Sequence, residues 1–209
     1  MYAPDTIAAP LAPPIGRIGP NAITRLAEAL TAHGGTGLTA SVFARAGLAR
    51  YLDTPPEEMV DEAEVARLHA ALAARVQHHD GVAIARDAGR RTADYLLARR
   101  IPRLAQVVLS QLPPRLAAKI LVRAVARHAW TFAGSGQFNH ALDPGNERVM
   151  WLNITNSPLC RPGDDTAACD YFAATFQGVF GAMLGHNVAV TEAECTSRGG
   201  PACRFRLSW

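Results

Sequence analysis

The last hairpin of the chain decides the fold. It reads Asn187-Val-Ala-Val-Thr-Glu192-Ala-Glu-Cys195-Thr-Ser-Arg-Gly-Gly-Pro201-Ala-Cys203-Arg-Phe-Arg-Leu207. Its apolar and β-branched residues predict strands at 187–191 and 202–207, and its small residues predict a turn at 196–201. A helical pattern at about 166–184 precedes this hairpin, and 148–155 reads as a further strand. Strands separated by one long helix predict an α+β fold, in which helices pack on one face of an antiparallel sheet.

The first half of the chain is predicted to be mainly helical. Apolar residues recur there at helical spacing, and proline or glycine separates the segments. The predicted helices cover 20–34, 39–46, 62–77, 81–100, 104–112 and 114–127. The resulting division is a Pro-rich N-terminal segment at 1–18, a helical region at 19–128 and an α+β region at 129–209. We expect the last two regions to form one compact unit.

Composition excludes several classes of protein. With 209 residues, 49% hydrophobic and 19% charged, the chain can bury a core, unlike a disordered tail or a disulfide-stapled mini-protein. A net charge of +3 is too small to predict a nucleic-acid partner. The uncharged run at 171–190 contains polar residues and three glycines, which predicts a buried helix and a strand rather than a membrane span. We therefore expect a cytoplasmic protein.

Charge is segregated along the helical half. Six acidic residues and no basic residue occur between Asp53 and Glu64. Four basic residues then follow at steps of four, which places them on one helical face: Arg115, Lys119, Arg123 and Arg127. Such a stripe suits an acidic partner, a membrane surface or the carboxylates of a ligand, and it is also typical of a solvated face.

The cysteines suggest metal chemistry before disulfides, because disulfides are rare in the cytoplasm. Glu192, Cys195 and Cys203 lie at the end of one strand and the start of the next, and Cys169 lies near the start of the preceding helix. Zinc accepts such a set tetrahedrally, and four protein ligands would make the site structural. There is no C-x-x-C pair, so the spacing alone leaves zinc and four unrelated buried thiols as equal alternatives.

A zinc site of this kind would need hydrogen-bond donors around it. Three thiolates and a carboxylate outweigh the charge of the ion, and buried negative charge must be compensated. We expect Arg198, Arg204 and the backbone N–H groups of the glycine loop to supply these donors.

A resemblance to a known family adds to this interpretation. The segment from Cys169-Asp-Tyr-Phe172 to Glu192-x-x-Cys195-x7-Cys203-Arg-Phe205 resembles the C-terminal half of the 4-vinyl reductase domain, which also occurs in sensor modules of aromatic-responsive transcriptional activators. The resemblance covers about 128–209. It implies that Cys169, Glu192, Cys195 and Cys203 bind a structural zinc ion and that Cys160 is a spare buried thiol.

The N-terminal region extends the resemblance. Gly16-Arg-Ile-Gly-Pro-Asn-Ala-Ile-Thr-Arg-Leu26 is similar to the opening of the bacteriochlorophyll-biosynthesis proteins long called 4-vinyl reductases. The likeness would then extend over nearly the whole chain. The family implies an α+β ligand-binding fold that is shared with a Golgi-transport tethering subunit and is often dimeric.

The family name implies reduction of a vinyl group, and reduction needs an electron source. Gly134-Ser-Gly136 is followed by Asn139, and Gly35-Thr-Gly37 by Ala40, where a nicotinamide-binding G-x-G-x-x-G motif needs a third glycine. Cysteines bound to zinc are not available for an iron–sulfur cluster, and zinc has no redox chemistry. The favoured function is therefore an accessory protein that binds a (Mg-)porphyrin intermediate and presents it to pathway enzymes. A divinyl (proto)chlorophyllide 4(8)-vinyl reductase with an external electron donor is the alternative, and a small-molecule sensor module is a weaker one.

A tetrapyrrole is flat and apolar with carboxylate edges, so its site should offer aromatic walls and a few arginines. The candidates lie on the strands predicted around the Gly134–Gly136 turn, or on the long helix: Trp130, Phe132, Phe138, Trp151, Phe172 and Phe176. His140 is a candidate axial ligand for magnesium, together with His128 and His186. Each of these residues is also compatible with an ordinary core or surface role.

The partners that the resemblance implies are a tetrapyrrole intermediate and pathway enzymes such as magnesium chelatase or the methyltransferase that follows it. No nucleic acid is expected. A homodimer and a peripheral contact with the photosynthetic membrane are compatible with the sequence.

Overall fold

The computed structural model describes residues 16–164, 166–185 and 187–209. Most of the predicted Pro-rich segment, residues 1–15, and the candidate ligand His186 lie outside the described residues. Within the described ranges, no helix is both long enough and apolar enough to span a bilayer. The run at 171–190 forms a helix followed by a strand, as predicted.

The helical half consists of seven helices within the described residues. They are α1 (Asn21–Arg45), α2 (Arg50–Asp53), α3 (Glu62–Ala73), α4 (His78–Arg99), α5 (Arg103–Ser110), α6 (Pro114–Arg127) and α7 (Trp130–Ala133). The helices predicted at 20–34 and 39–46 are continuous in α1 and are separated by a kink at Gly35, whose φ of 71° is left-handed. Asp61 caps α3, because its carboxylate accepts a hydrogen bond from the Ala63 amide at 2.8 Å.

The C-terminal half contains a four-stranded antiparallel sheet. A two-residue pair, β1 (Arg17–Ile18) and β2 (Val60–Asp61), forms a separate small sheet. The main strands are β3 (Gln137–Leu142), β4 (Val149–Thr155), β5 (Ala189–Glu194) and β6 (Cys203–Ser208), in the order β3-β4-β6-β5. The helix α8 (Ala168–Leu184) lies in the chain between β4 and β5.

The two faces of the sheet differ in burial. Met150, Leu152 and Ile154 of β4 are fully buried and alternate with Trp151 and Asn153, which are only partly buried. The buried set belongs to the same hydrophobic core as the inner residues of α8. The predicted α+β architecture, with an antiparallel sheet, helices on one face and a helical N-terminal half, is therefore confirmed.

A close contact between α4 and α8 joins the helical half to the α+β half, and no other pair of the described helices is in more extensive contact. Small residues make the close approach possible. A Cβ atom on Gly89 would lie 2.8 Å from the Ala174 Cβ, and one on Gly178 would lie 2.5 Å from the Ala93 Cβ. Because real Cβ atoms do not approach so closely, these two positions require glycine at this separation of the helices.

The prediction that Trp130 and Phe132 lie on a strand was wrong. Both belong to the short helix α7, in which the Ala129 carbonyl accepts hydrogen bonds from the Phe132 and Ala133 amides at 3.0 and 2.7 Å. Gly134, with φ 58°, ends the helix. The aromatic and β-branched residues favour a strand locally, but the backbone continues the helical path of α6 until this glycine.

Candidate metal centre

Four buried thiols converge where the sheet meets the start of α8. Cys160 lies in the loop after β4, Cys169 in the first turn of α8, Cys195 directly after β5, and Cys203 at the start of β6. All four Sγ atoms lie within 4.8 Å of one another. The Cys169 Sγ is 3.4 Å from both the Cys160 and the Cys195 sulfur. Sulfur ligands of a tetrahedral zinc ion would be about 3.8 Å apart, so this arrangement has the dimensions of a metal site.

Two glycines shape the loop between Cys195 and Cys203. A 3₁₀ turn over Thr196–Arg198 ends at Gly199, which adopts a left-handed φ of 85°. The Gly200 amide then donates to the Cys195 carbonyl at 2.9 Å, and a Cβ on Gly200 would approach that oxygen within 2.9 Å. The loop therefore turns back tightly enough to bring the two thiols together.

A β-bulge separates the two glutamates of β5. Glu192 pairs with Phe205 and Glu194 with Arg204, with a register shift between them. Residues two apart on a regular strand share a face, whereas these two glutamates lie opposite neighbouring residues of β6 and thus on opposite faces. Glu194 bonds Arg204 at 3.2 Å on the outer face. The expectation that Arg204 supplies a donor to the thiols was therefore wrong.

Glu192 lies beside the thiol cluster. Its Oε2 accepts a hydrogen bond from Arg198 at 2.5 Å, as expected for that arginine. Its Oε1 is buried and has no hydrogen-bond partner among the described residues. Burial raises the pKa of Glu192, and contacts with the Cys169 thiol and Arg198 oppose that shift. A buried carboxylate oxygen without a donor is the kind of group that a cation would satisfy.

The thiols also differ in acidity. Hydrogen bonds with Cys160, Cys169 and Cys203 lower the pKa of Cys195, and the Ser197 hydroxyl, 2.9 Å from its sulfur, acts in the same direction. Hydrogen bonds with its three neighbouring thiols, followed by burial, raise the pKa of Cys169. One thiolate is thus favoured in the cluster even without an ion, and a cation would favour the others.

Cys160 is not an isolated thiol. It is buried and in contact with Cys169, whereas the family resemblance implied a spare position. The loop that carries it has no periodic pattern from which its position could be predicted. Five potential donors, four sulfurs and the Glu192 carboxylate, therefore surround the space that a four-coordinate ion would occupy.

Five of the predicted ligand-binding residues form one cluster. The ring of Phe132 on α7 lies 5.5 Å from Phe138, 6.3 Å from Phe172 and 5.8 Å from Phe176, between centroids. His140 follows at 6.3 Å from Phe138. These spacings are those of rings in direct contact, mostly edge to face, so no planar ligand fits between them in this conformation.

The two tryptophans lie elsewhere. Trp130 is 61% exposed, and no ring contact within the described parts of the chain joins it to the cluster around Phe132. Trp151 lies on the outer face of the sheet, where its indole donates to Asp143 at 2.8 Å and the Arg204 guanidinium stacks 4.0 Å from its ring. The structure therefore does not bring Trp130 and Trp151 together with the other five candidates.

The histidines have different environments. His140 is half-buried, and burial together with the positive charge of Arg123 lowers its pKa. His128 is exposed, with Nδ1 2.9 Å from the Ala124 carbonyl oxygen. His69, which the sequence analysis did not single out, is buried on α3 and packs edge-on against Tyr171 at 5.8 Å. Neither of its ring nitrogens has a hydrogen-bond partner among the described residues.

Comparison with known proteins identifies the family. The family model of the 4-vinyl reductase domain matches residues 150–208, which contain all four cysteines and Glu192. The bacteriochlorophyll synthase 23 kDa chain of Cereibacter sphaeroides is 40% identical over 193 residues, which cover 91% of this chain and 90% of that protein. The chain belongs to the bacteriochlorophyll synthase 23 kDa chain family. A second member, from Rhodobacter capsulatus, is 34% identical over 91% of this chain and 86% of its own length.

Solved structures show where the fold of this family member recurs. A structure described as probing heme distortion in the H-NOX family has a TM-score of 0.59 at 14% identity, covering 92% of this chain and 95% of its own. An unliganded Fe(II) H-NOX protein from K. algicida has a TM-score of 0.57 at 9% identity, covering 91% and 96%. This member of the bacteriochlorophyll synthase 23 kDa chain family thus shares its fold with H-NOX proteins.

Proposed function

We propose that this chain acts in bacteriochlorophyll biosynthesis as an accessory protein that binds a magnesium-porphyrin intermediate and presents it to pathway enzymes. The observation that carries the proposal is the 40% identity to a bacteriochlorophyll synthase 23 kDa chain over 91% of this chain. Magnesium chelatase and the methyltransferase that follows it are the enzymes proposed to exchange the intermediate with it.

The fold supports a tetrapyrrole as the ligand. One H-NOX structure with this fold concerns heme distortion, and heme is a tetrapyrrole. The aromatic cluster is the proposed binding region, because Phe132, Phe138 and His140 are only partly buried and lie on one short helix and the edge strand β3. Binding would require α7 and β3 to separate from Phe172 and Phe176, since the rings now fill the space. His140 is the proposed axial ligand of the magnesium.

Absorption titration tests this site. Purified full-length protein is titrated with magnesium protoporphyrin, and the porphyrin absorption band is followed together with quenching of tryptophan fluorescence. We expect saturable binding and a band shift that His140→Gln reduces. His128→Gln is the matched control, because His128 is exposed and should leave the shift unchanged. The absence of saturable binding in the wild-type protein would refute the proposed ligand, and equal spectra for both variants would refute the axial role of His140.

We further propose that the thiol cluster holds a structural zinc ion, bound by Cys169, Glu192, Cys195 and Cys203. The buried, unpartnered Glu192 Oε1 and the mutual approach of the thiols support this ligand set. When bound, the ion would join the loop after β4, the start of α8 and the final hairpin. It would contribute stability and no chemistry, because four protein ligands leave no open coordination position.

Elemental analysis tests the zinc site and its ligands. We expect one zinc ion per chain, retained through purification. Glu192→Gln should weaken zinc affinity at least tenfold, whereas Glu194→Gln, on the opposite face of the same strand, should not. Cys160→Ser distinguishes the two available sets: retained zinc supports Glu192 as the fourth ligand. Loss of zinc in Cys160→Ser but not in Glu192→Gln would replace Glu192 by Cys160.

A further inference from the structure

An exposed surface on α5 and α6 has no explanation in the proposed function. Its apolar members are Leu104, Val107, Val108, Leu116 and Ile120, all at least two-fifths exposed and Leu104 77% exposed. Leu104, Val107 and Val108 lie at helical spacing on α5, and Leu116 and Ile120 are one turn apart on α6. Scattered exposed aliphatic residues are ordinary, but five on two adjacent helices form a patch.

Both helices present this surface on the same side of the molecule. Each packs against α8 and they also contact each other. Leu109 of α5, and Ala117, Leu121 and Val122 of α6, provide the buried side. Because both buried faces point toward α8, both exposed faces point away from it. We call this surface, from Arg103 to Arg127, the α5–α6 face.

The α5–α6 face is also strongly basic. No acidic residue occurs between Asp94 and Asp143. Arg115 pairs with Glu147. Four more basic side chains lie on these helices and form no ion pair within the described parts of the chain: Arg103, Lys119, Arg123 and Arg127. Exposed aliphatic side chains among unpaired basic ones are typical of helices that lie in the interface of an anionic membrane.

We propose that the α5–α6 face binds the surface of an anionic lipid bilayer, with the aliphatic side chains in the interface and the basic ones at the lipid headgroups. Charge complementarity favours this occupant. A second copy that used the same face symmetrically would bring like charges together. The proposal concerns how the protein reaches a membrane, and it does not depend on the identity of its bound ligand.

Vesicle co-sedimentation tests the proposal with full-length protein. We expect binding to vesicles of phosphatidylcholine mixed with phosphatidylglycerol, little binding to phosphatidylcholine alone, and weaker binding as salt is raised. Each basic residue near an anionic surface contributes about fivefold to partitioning, so Arg123→Gln with Arg127→Gln should weaken binding about 25-fold. Leu104→Ser with Val107→Ser should also weaken it, because less apolar surface enters the interface.

A matched pair controls for net charge. Arg45→Gln with Arg75→Gln removes the same charge from exposed positions outside α5 and α6, and should leave vesicle binding within about twofold of wild type, since headgroup attraction falls off within a Debye length. Equal losses in both charge variants, or equal binding to neutral and anionic vesicles, would overturn the proposal. Vesicle binding that is absent, while the Leu104 and Val107 substitutions dissociate a dimer in sedimentation analysis, would assign the face to a second copy instead.

Discussion

The buried imidazole of His69 should make the protein less stable in mild acid. Burial lowers the pKa of His69 from its ordinary 6.5 to about 4, so the folded protein keeps the ring neutral where the unfolded chain protonates it. A depressed histidine pKa contributes no loss of stability above pH 6.5 and a growing loss as pH falls toward 4. Each pKa unit corresponds to about 1.4 kcal/mol, so the full loss is about 3 kcal/mol.

Urea unfolding at pH 7.5 and pH 5.5 measures this effect. Between these values the His69 contribution to the free energy of unfolding should fall by about 1.3 kcal/mol. His69→Leu replaces the imidazole by an apolar side chain, and the variant should lose about that much less stability than wild type over the same interval. His128→Gln, at an exposed histidine, should follow the wild type. If His69→Leu and wild type lose equal stability on acidification, the ring is protonated in the folded protein and the reasoning fails.

Two further predictions concern packing and a loop contact. Gly89→Ala should lower the free energy of unfolding by about 1–3 kcal/mol, because overpacking of the α4–α8 contact outweighs the gain in helix propensity, whereas Gly81→Ala on the same helix, with its nearest neighbour at 3.6 Å, should be neutral or stabilising in urea unfolding; equal gains in both variants would contradict the close contact. Glu62→Gln should destabilise by about 1 kcal/mol in thermal unfolding, because the carboxylate accepts hydrogen bonds from the Ser135 amide at 2.6 Å and hydroxyl at 2.7 Å, and an equal effect of Glu58→Gln would argue against that contact.

Local sequence signals predicted the elements that proline, glycine and periodicity delimit. The predicted helix at 114–127 matches α6 because Pro114 suits a first helical turn and apolar residues recur after it. The strands of the last hairpin were placed within a few residues, but their bulge was not predicted. A bulge depends on how two strands pair, and Glu192-Ala-Glu194 carries no residue that demands one.

Site residues were predictable where their spacing reflected a local element. Cys195 and Cys203 flank one turn, so their proximity follows from the hairpin. Cys160 joins them through an irregular loop, which only the tertiary fold positions. The outward direction of Trp151 could have been predicted, because it alternates with the apolar Met150 and Leu152. The burial of His69 had a similar signal, since it shares the apolar side of α3 with Val65, Leu68 and Leu72.

The tight crossing of α4 and α8 has a consequence at a distance. Cys169 lies in the first turn of α8, and the Gly89 contact on α4 determines where that helix sits. A side chain that pushed the two helices apart would carry the Cys169 sulfur away from its three companions, although residue 89 touches none of them. Metal retention would then serve as a remote gauge of how faithfully the N-terminal helices are assembled.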